Sequence, residues 1–460
     1  MSLIRNCHIE NNQQSFDKSF WIAITIFILF LVLRRSAAYF GIPPLYGGEI
    51  TIILFAALFL RRDKLRTFCT NPYGLVSLTF ALLPFPYFIV QYRNVGTDAI
   101  MYSSVAYYAV FWYFGYSIIS TTERQNLFIS VLYYAILLSN IHFLVSRVIH
   151  LEEIPPLING VSLLGHSDSC YIYFAVGIAY ALIFSYKLGL IRTIVLLGSS
   201  ILGHVLSTER GSQLGILGVL LTLFIFRKIW LKYNSYAIQY LIFLGGSSLV
   251  LALLLWPKSE FVEKTAFQVD LIISTFSHSQ NTVRAGTKEH RLEMWKEIIE
   301  NTLNEGPVLG QGVKGPLVDV AFRNPHNSFI TIFGRFGIVG LLLAITIYFA
   351  MPLHNMIVMT RISPPAQRVR RAGDTKLQQA MLLYLCFVPA FMGAALFGPT
   401  LVSPFSALVC NFIYGASLRC CDIVLQRSQA PAVIRCAHMA RKRPNCRWLC
   451  QRAQNQPTLK

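Results

Sequence analysis

Charge is scarce in this sequence. Of 460 residues only 13% are Asp, Glu, Lys or Arg, against roughly 25% in an average soluble domain, and 54% are hydrophobic. With a mean hydropathy of +0.52, the chain has too little polar surface to coat a soluble globule of its size. Acid is scarcer than base, 21 residues against 40, which leaves a net charge of +19. The sequence also lacks a phosphate-cradling Walker loop, a Rossmann fingerprint, a nucleophile elbow and any His/Cys/Asp/Glu grouping at metal-ligand spacing. Those absences argue against an ATP-driven pump, a dinucleotide enzyme and a serine hydrolase, and no metal or cofactor is expected. Neither an internal repeat nor a separate soluble domain is evident.

What the sequence has in abundance is long apolar runs of about 17–25 residues, the length that crosses a bilayer as helix. The fold class expected is an all-α polytopic membrane protein. Twelve spans are predicted, near 19–34, 42–60, 74–92, 100–120, 127–146, 168–186, 188–207, 211–227, 236–256, 327–351, 379–398 and 401–418. The first apolar run, Phe20 to Leu33, has no small-residue cleavage site and is expected to stay as a short span or signal anchor.

The basic residues cluster between these runs, at "RRDKLR" from Arg61, "RKIWLK" from Arg227, "RISPPAQRVRRAGDTK" from Arg361 and in the tail after Leu418. With the N-terminus in the cytoplasm all of them fall inside, as the positive-inside rule requires, and so does the C-terminus. Arg34-Arg35, at the outer end of span one, is the exception. No basic patch interleaves with aromatics outside the membrane, so membrane lipid rather than nucleic acid accounts for the charge. Of the ten cysteines, this map leaves only Cys170 near the outer face, which excludes an external disulfide framework. Cys436, Cys446 and Cys450 with His438 lack the paired spacing of a zinc site.

The boundaries that follow are a cytoplasmic segment 1–18, spans one to nine over 19–256, a large external loop 257–325, spans ten to twelve over 326–418, and a basic cytoplasmic tail 419–460. A connection of that length is expected to be functional. Its segment "HRLEMWKEIIENTLNEGPVLGQGVKG" predicts an amphipathic helix with Leu292, Trp295, Ile298 and Ile299 on its apolar face, resting at the interface. Turn-forming backbone with Gly306, Gly310, Gly312 and Gly315 follows.

The ionisable residues worth weighing stand near the outer ends of spans. Arg210, in "LSTERGSQLG", has Glu209 beside it to orient its guanidinium and opens a span whose N-terminal dipole suits phosphate; the ordinary alternative is an interfacial, snorkelling arginine. Arg291 begins "RLEMW", where a solvated helix face is the plainer reading; Arg284 and His290 stand in the same position. His326 starts span ten with Asn327 and Ser328 as cap-type neighbours, and there it can move a proton near neutral pH. Arg335 is expected about 13 Å deeper, at ~1.5 Å per residue, where it needs a partner or a wet cavity. A buried structural pair and a hold on an anionic lipid headgroup stay open for it. The residues alone thus reach an external anionic-lipid site.

His326-Asn327, the nine residues Ser328 to Phe336, then Gly337 and Gly340 resemble the signature of the bacterial O-antigen ligase and O-antigen polymerase superfamily. "STERGSQLGILGVLLTLF", and "RLEMW" followed by "GPVLGQGVKG", are similar to that family's mid-chain and external-loop motifs. The likeness covers about residues 190–350, and Arg335 departs from it, since many relatives have an acidic residue there. It implies a GT-C-like fold, a bacterial inner-membrane location with the active site facing the periplasm, and metal-independent glycosyl transfer. The donor implied is a glycan on undecaprenyl pyrophosphate, and the acceptor is lipid A–core, with a glycan (polymerase) or a protein (O-oligosaccharyltransferase) as alternatives. Carried onto this chain, Arg210 and Arg291 would bind the pyrophosphate and His326 would orient or deprotonate the acceptor hydroxyl or contribute to the phosphate clamp, with Asn327, Arg284, Glu209 and Arg335 in support. A lipid or polysaccharide transporter is the distant alternative; it calls for paired midplane charges and related halves, which the sequence does not show.

Overall fold

The computed structural model describes residues 18–42, 45–95, 98–148, 170–207, 210–227, 285–314, 327–362, 372–398, 400–401 and 403–442. Almost all of these residues are helical. The chain runs through α1 (Lys18–Leu33), α2 (Arg35–Tyr39), a two-residue antiparallel pair β1 (Gly41–Ile42) and β2 (Leu45–Tyr46), α3 (Gly47–Phe59), α4 (Arg62–Thr70), α5 (Pro72–Leu82), α6 (Pro84–Val95), α7 (Asp98–Tyr107) and α8 (Phe111–Ile118). It continues through α9 (Thr122–Val148), α10 (Cys170–Leu206), α11 (Arg210–Ile225), α12 (Ala285–Glu305), α13 (Ser328–Ile345), α14 (Met351–Ile362), α15 (Ala372–Phe397) and α16 (Pro404–Lys442). Among the described residues, six helical stretches are long and apolar enough to cross a membrane: Pro72–Gln91, Thr122–Ser146, Tyr171–Leu206, Ser328–Thr360, Lys376–Leu396 and Phe405–Gln426. Helix occupies every predicted span except 236–256, which lies outside the described residues.

Length alone makes α10 one helix of 37 residues, but its contacts make it two. Gly177 packs against Ser200 and Gly203 against the Phe174 ring, pairs that a straight helix would hold more than ~30 Å apart. The Thr193 hydroxyl also reaches back to the carbonyl of Ser185 at 3.5 Å. The reversal sits at Gly189 (φ 74°, ψ 170°), a conformation open to glycine and few others. The arms are an antiparallel hairpin, and they coincide with the separate predicted spans 168–186 and 188–207. Asn140 on α9 donates to Ser199 (3.3 Å) and Ser200 (2.9 Å) on the second arm, which locks hairpin and α9 together.

The two ends of the bundle differ in chemistry. One end gathers Lys64, whose ammonium donates to the Ser117 carbonyl (3.2 Å), Arg419, bonded to the Ser120 carbonyl (3.1 Å), and Asp422, which accepts from Tyr116 (2.7 Å) and Asn71 (3.2 Å). The hairpin turn with Lys187, bonded to Gln379 of α15 at 3.0 Å, points the same way along the bundle. The predicted boundary at 418 falls inside α16, which runs on to Lys442 with Cys420 and Cys421 buried. Apolar sequence ends at Leu418, but the helix continues because its next turn is held by the Arg419–Tyr116–Asp422 contacts. Arg34, the misfit of the charge map, is 1% exposed and donates to the carbonyl (3.0 Å) and hydroxyl (2.7 Å) of Ser139. It is an internal tie between the end of α1 and α9, not a loop charge.

Polar side chains tie the apolar interior. Asn411 accepts from the Trp112 indole (2.9 Å) and the Tyr348 phenol (2.8 Å), joining α16 to α8 and to the π-helical turn Thr346–Ala350 that links α13 to α14. Asn411→Leu would leave two buried donors unpaired, each costing about 1–3 kcal/mol. We expect a lower thermal midpoint for the purified, detergent-solubilised variant; an unchanged midpoint would show that Asn411 is not a structural hub.

Candidate functional site

The end of the bundle opposite Arg419 brings together the starts of two helices and the end of a third. α11 opens at Arg210, and the backbone of the next residue lies so close to α15 that a Cβ on Gly211 would stand 2.9 Å from the Gly393 oxygen. One and a half turns further along, the carbonyl of Gly398 accepts from the Ser328 hydroxyl (3.1 Å), which in turn accepts from the Leu401 N–H (3.1 Å). The last turns of α15 therefore connect the start of α11 to the start of α13. Asn327 caps α13, its Oδ1 accepting from the Phe329 (2.9 Å) and Ile330 (3.1 Å) N–H groups, as its residue type predicts. His326, directly before this cap, Glu209, directly before Arg210, and Arg284, directly before α12, lie outside the described residues, and of Arg210 the backbone alone is described.

Arg291 is on α12, which packs against α13. The buried stripe of α12 is Met294, Ile298 and Thr302, with Arg291 half-buried one turn before Met294 on the same face. This corrects two expectations. Leu292, predicted on the apolar face, is 49% exposed, and Arg291 is in register with the packed side rather than on a solvated one. The cause is Thr302: it looks polar in sequence, yet its hydroxyl bonds the Ile298 carbonyl (2.7 Å) and so can be buried.

The turn after α12 is held by the helix that carries the cap. α13 is broken at Gly337, whose φ of 60° and ψ of −156° leave neighbouring backbone groups without helical partners. The turn supplies them: Gln311 N–H donates to the Gly334 carbonyl (3.1 Å), while the Pro307 and Val308 carbonyls accept from Ile338 (2.9 Å) and Val339 (3.1 Å). On the other side α6 grips the same turn. The Gln91 carboxamide donates to the Gln311 carbonyl (3.1 Å) and accepts from the Val313 N–H (2.8 Å), and the Tyr87 phenol donates to the Leu309 carbonyl. Gln91 and Tyr87 were not singled out in the sequence; the available signal for Gln91 is that it is the first polar side chain after an apolar run.

Arg335, two residues before the break, is 7% exposed. Ile338, Leu342, Ile345, Phe349, Leu353 and Ile357 form one exposed apolar stripe, kept in line past Ile345 by the π-helical turn. It is about 28 Å long at ~1.5 Å per residue, close to the ~30 Å of a hydrocarbon core. Arg335 precedes it by three residues, on the far side of the break at Gly337. A single apolar run in sequence hid the break.

Among the described residues no group of three or more His, Cys, Asp and Glu is placed to hold a metal ion. Chemically, a guanidinium such as that of Arg291 and a helix N-terminus such as that of α13 are groups suited to an anion. Residues 194–345, from the second hairpin arm to the end of α13, match the family model described as O-antigen ligase. No curated protein matches the chain.

Proposed function

We propose that this chain, which carries an O-antigen ligase domain over residues 194–345 and so belongs with the O-antigen ligase and polymerase superfamily, is an inner-membrane glycosyltransferase of twelve spans and GT-C-like fold that joins a glycan on undecaprenyl pyrophosphate to lipid A–core at the periplasmic face. The observation that supports this best is the meeting of the starts of α11 and α13 through Gly393–Gly398, with the Arg291 face of α12 packed on α13. Arg210 opens α11 and Arg291 lies on α12, which packs against α13; His326, directly before the Asn327 cap, lies outside the described residues.

In this reading the acceptor hydroxyl attacks the anomeric carbon of the first sugar, the carbon–oxygen bond to phosphate breaks, and undecaprenyl pyrophosphate departs. The hydroxyl proton passes to His326. Negative charge grows on the leaving phosphate oxygen, where fixed cations in a water-poor setting act most strongly. Arg210 and Arg291 supply it, with the bidentate fork that suits phosphate and a charge that does not titrate away. These roles come from chemistry and family likeness together.

Deleting the gene and running the surface glycolipids on a gel tests the acceptor. Bare lipid A–core with long polymer accumulating on the lipid carrier is the expected result. Lipid A–core bearing a single repeat would make the protein a polymerase instead, and an unchanged gel would remove lipid A–core as acceptor.

A further inference from the structure

The turn after α12 carries two large apolar side chains that the protein leaves uncovered, Val308 at 58% and Leu309 at 55% exposure. Most exposed apolar residues here need no explanation, because they lie on spans and face lipid. These two lie on an irregular turn between spans, where water-facing residues would ordinarily be polar. Backbone bonds fix their height. The Val308 carbonyl accepts from Val339 and the Pro307 carbonyl from Ile338, and Ile338 is the first residue of the lipid-facing stripe. From the other side, Leu309 is bonded by Tyr87, one helical turn inside the end of the Pro72–Gln91 span and bracketed by Phe85 (61%), Ile89 (75%) and Val90 (77%).

Two independent spans therefore set the same level, and at that level both present apolar side chains outward. We infer that the tip Val308–Leu309 is a membrane-dipping wedge, seated in the upper acyl region of the leaflet at the site end of the bundle. Its occupant is lipid hydrocarbon, continuous with the lipid already facing α6 and α13. Non-helical backbone at this depth is made tolerable by the bonds that hold much of it: the carbonyls of Pro307, Val308, Leu309 and Gln311 and the N–H groups of Gly310, Gln311 and Val313 have partners within the protein. The wedge also has a mechanical consequence. Glu305 ends α12 and Gly306 starts the turn, so the helix bearing Arg291 is pinned to the leaflet at a fixed height. A headgroup carried by a membrane-borne substrate would meet it there without a search normal to the membrane.

The inference rests on the chain being a membrane protein and not on any catalytic role. It is tested with a photoreactive benzophenone side chain introduced at position 309 of the otherwise native full-length protein. The purified protein is reconstituted into vesicles of phosphatidylethanolamine and phosphatidylglycerol, irradiated, and assayed for covalently attached lipid. Position 342, on the stripe, is the lipid-facing reference, and position 296, where the Lys296 side chain is 75% exposed, is the water-facing one. Lipid attachment at 309 comparable to that at 342, and well above that at 296, is the expected result. Attachment at 309 no greater than at 296 would overturn the wedge. Failure at 342 itself would instead overturn the assignment of the α13 stripe to lipid, and with it the level on which the wedge depends. Position 308 serves as the second variant should the first fail to insert.

Discussion

Replacing Gly337 with alanine is expected to abolish glycosyl transfer while leaving the protein inserted and helical. The new methyl group would stand 2.5 Å from the Gly310 nitrogen and 2.5 Å from the Val308 oxygen, distances that side-chain Cβ atoms do not adopt. Both neighbours are backbone, so neither can swing aside as a side chain would. The φ of 60° with ψ of −156° adds strain of about 1–3 kcal/mol for any residue with a Cβ. The cheapest escape is to expel the turn, which forfeits the three backbone bonds from Gln311, Ile338 and Val339 at roughly 0.5–1.5 kcal/mol each. Arg291 then loses its fixed height and its packing partner, although no residue assigned a chemical role has changed. Transfer assayed on membranes with lipid-linked donor checks this, alongside expression level and circular dichroism. Activity near wild type in Gly337→Ala would mean that the interlock of turn and helix does not position the site.

The same residue shows where sequence reading succeeds and where it stops. Apolar run length was enough to mark where helices run, in every predicted span but 236–256, which lies outside the described residues, and the hairpin of α10 was read as two because Lys187 and Gly189 interrupt its hydrophobicity. It was not enough for α13, where Arg335 is the one charge in the run from Ser328 to Ala350 and the break at Gly337 is made by one backbone conformation. A glycine in an apolar run signals close approach or a bend with equal force, and only the neighbour decides which. Burial of Arg34 was hidden for another reason: it is compatible with the interior through hydrogen bonds to Ser139, 105 residues away, and a partner so distant leaves no local pattern. The cap at Asn327, by contrast, is a local bond and was legible.

Arg210→Ala, Arg291→Ala and His326→Ala are each expected to lower transfer by about a hundredfold or more, the usual loss when a fixed donor or a general base is removed. The three should separate when lysine replaces arginine. Lysine keeps the charge but presents a point donor in place of a fork, so Arg210→Lys and Arg291→Lys should retain part of the activity if neutralising the leaving phosphate is what matters, and almost none if bidentate geometry matters. Either pattern would be consistent with contact to phosphate. Wild-type rates in the alanine variants would not be, and would leave the packed position of Arg291 as a matter of folding alone. The distinction can be read against Gly337→Ala, which disturbs position without touching charge. Arg291→Ala and Gly337→Ala acting through the same contact should not compound, because once the guanidinium is gone its misplacement costs nothing further. Losses that multiply would instead assign the turn a role in holding some other part of the site, with the start of α13 at Asn327 the nearest element it could move.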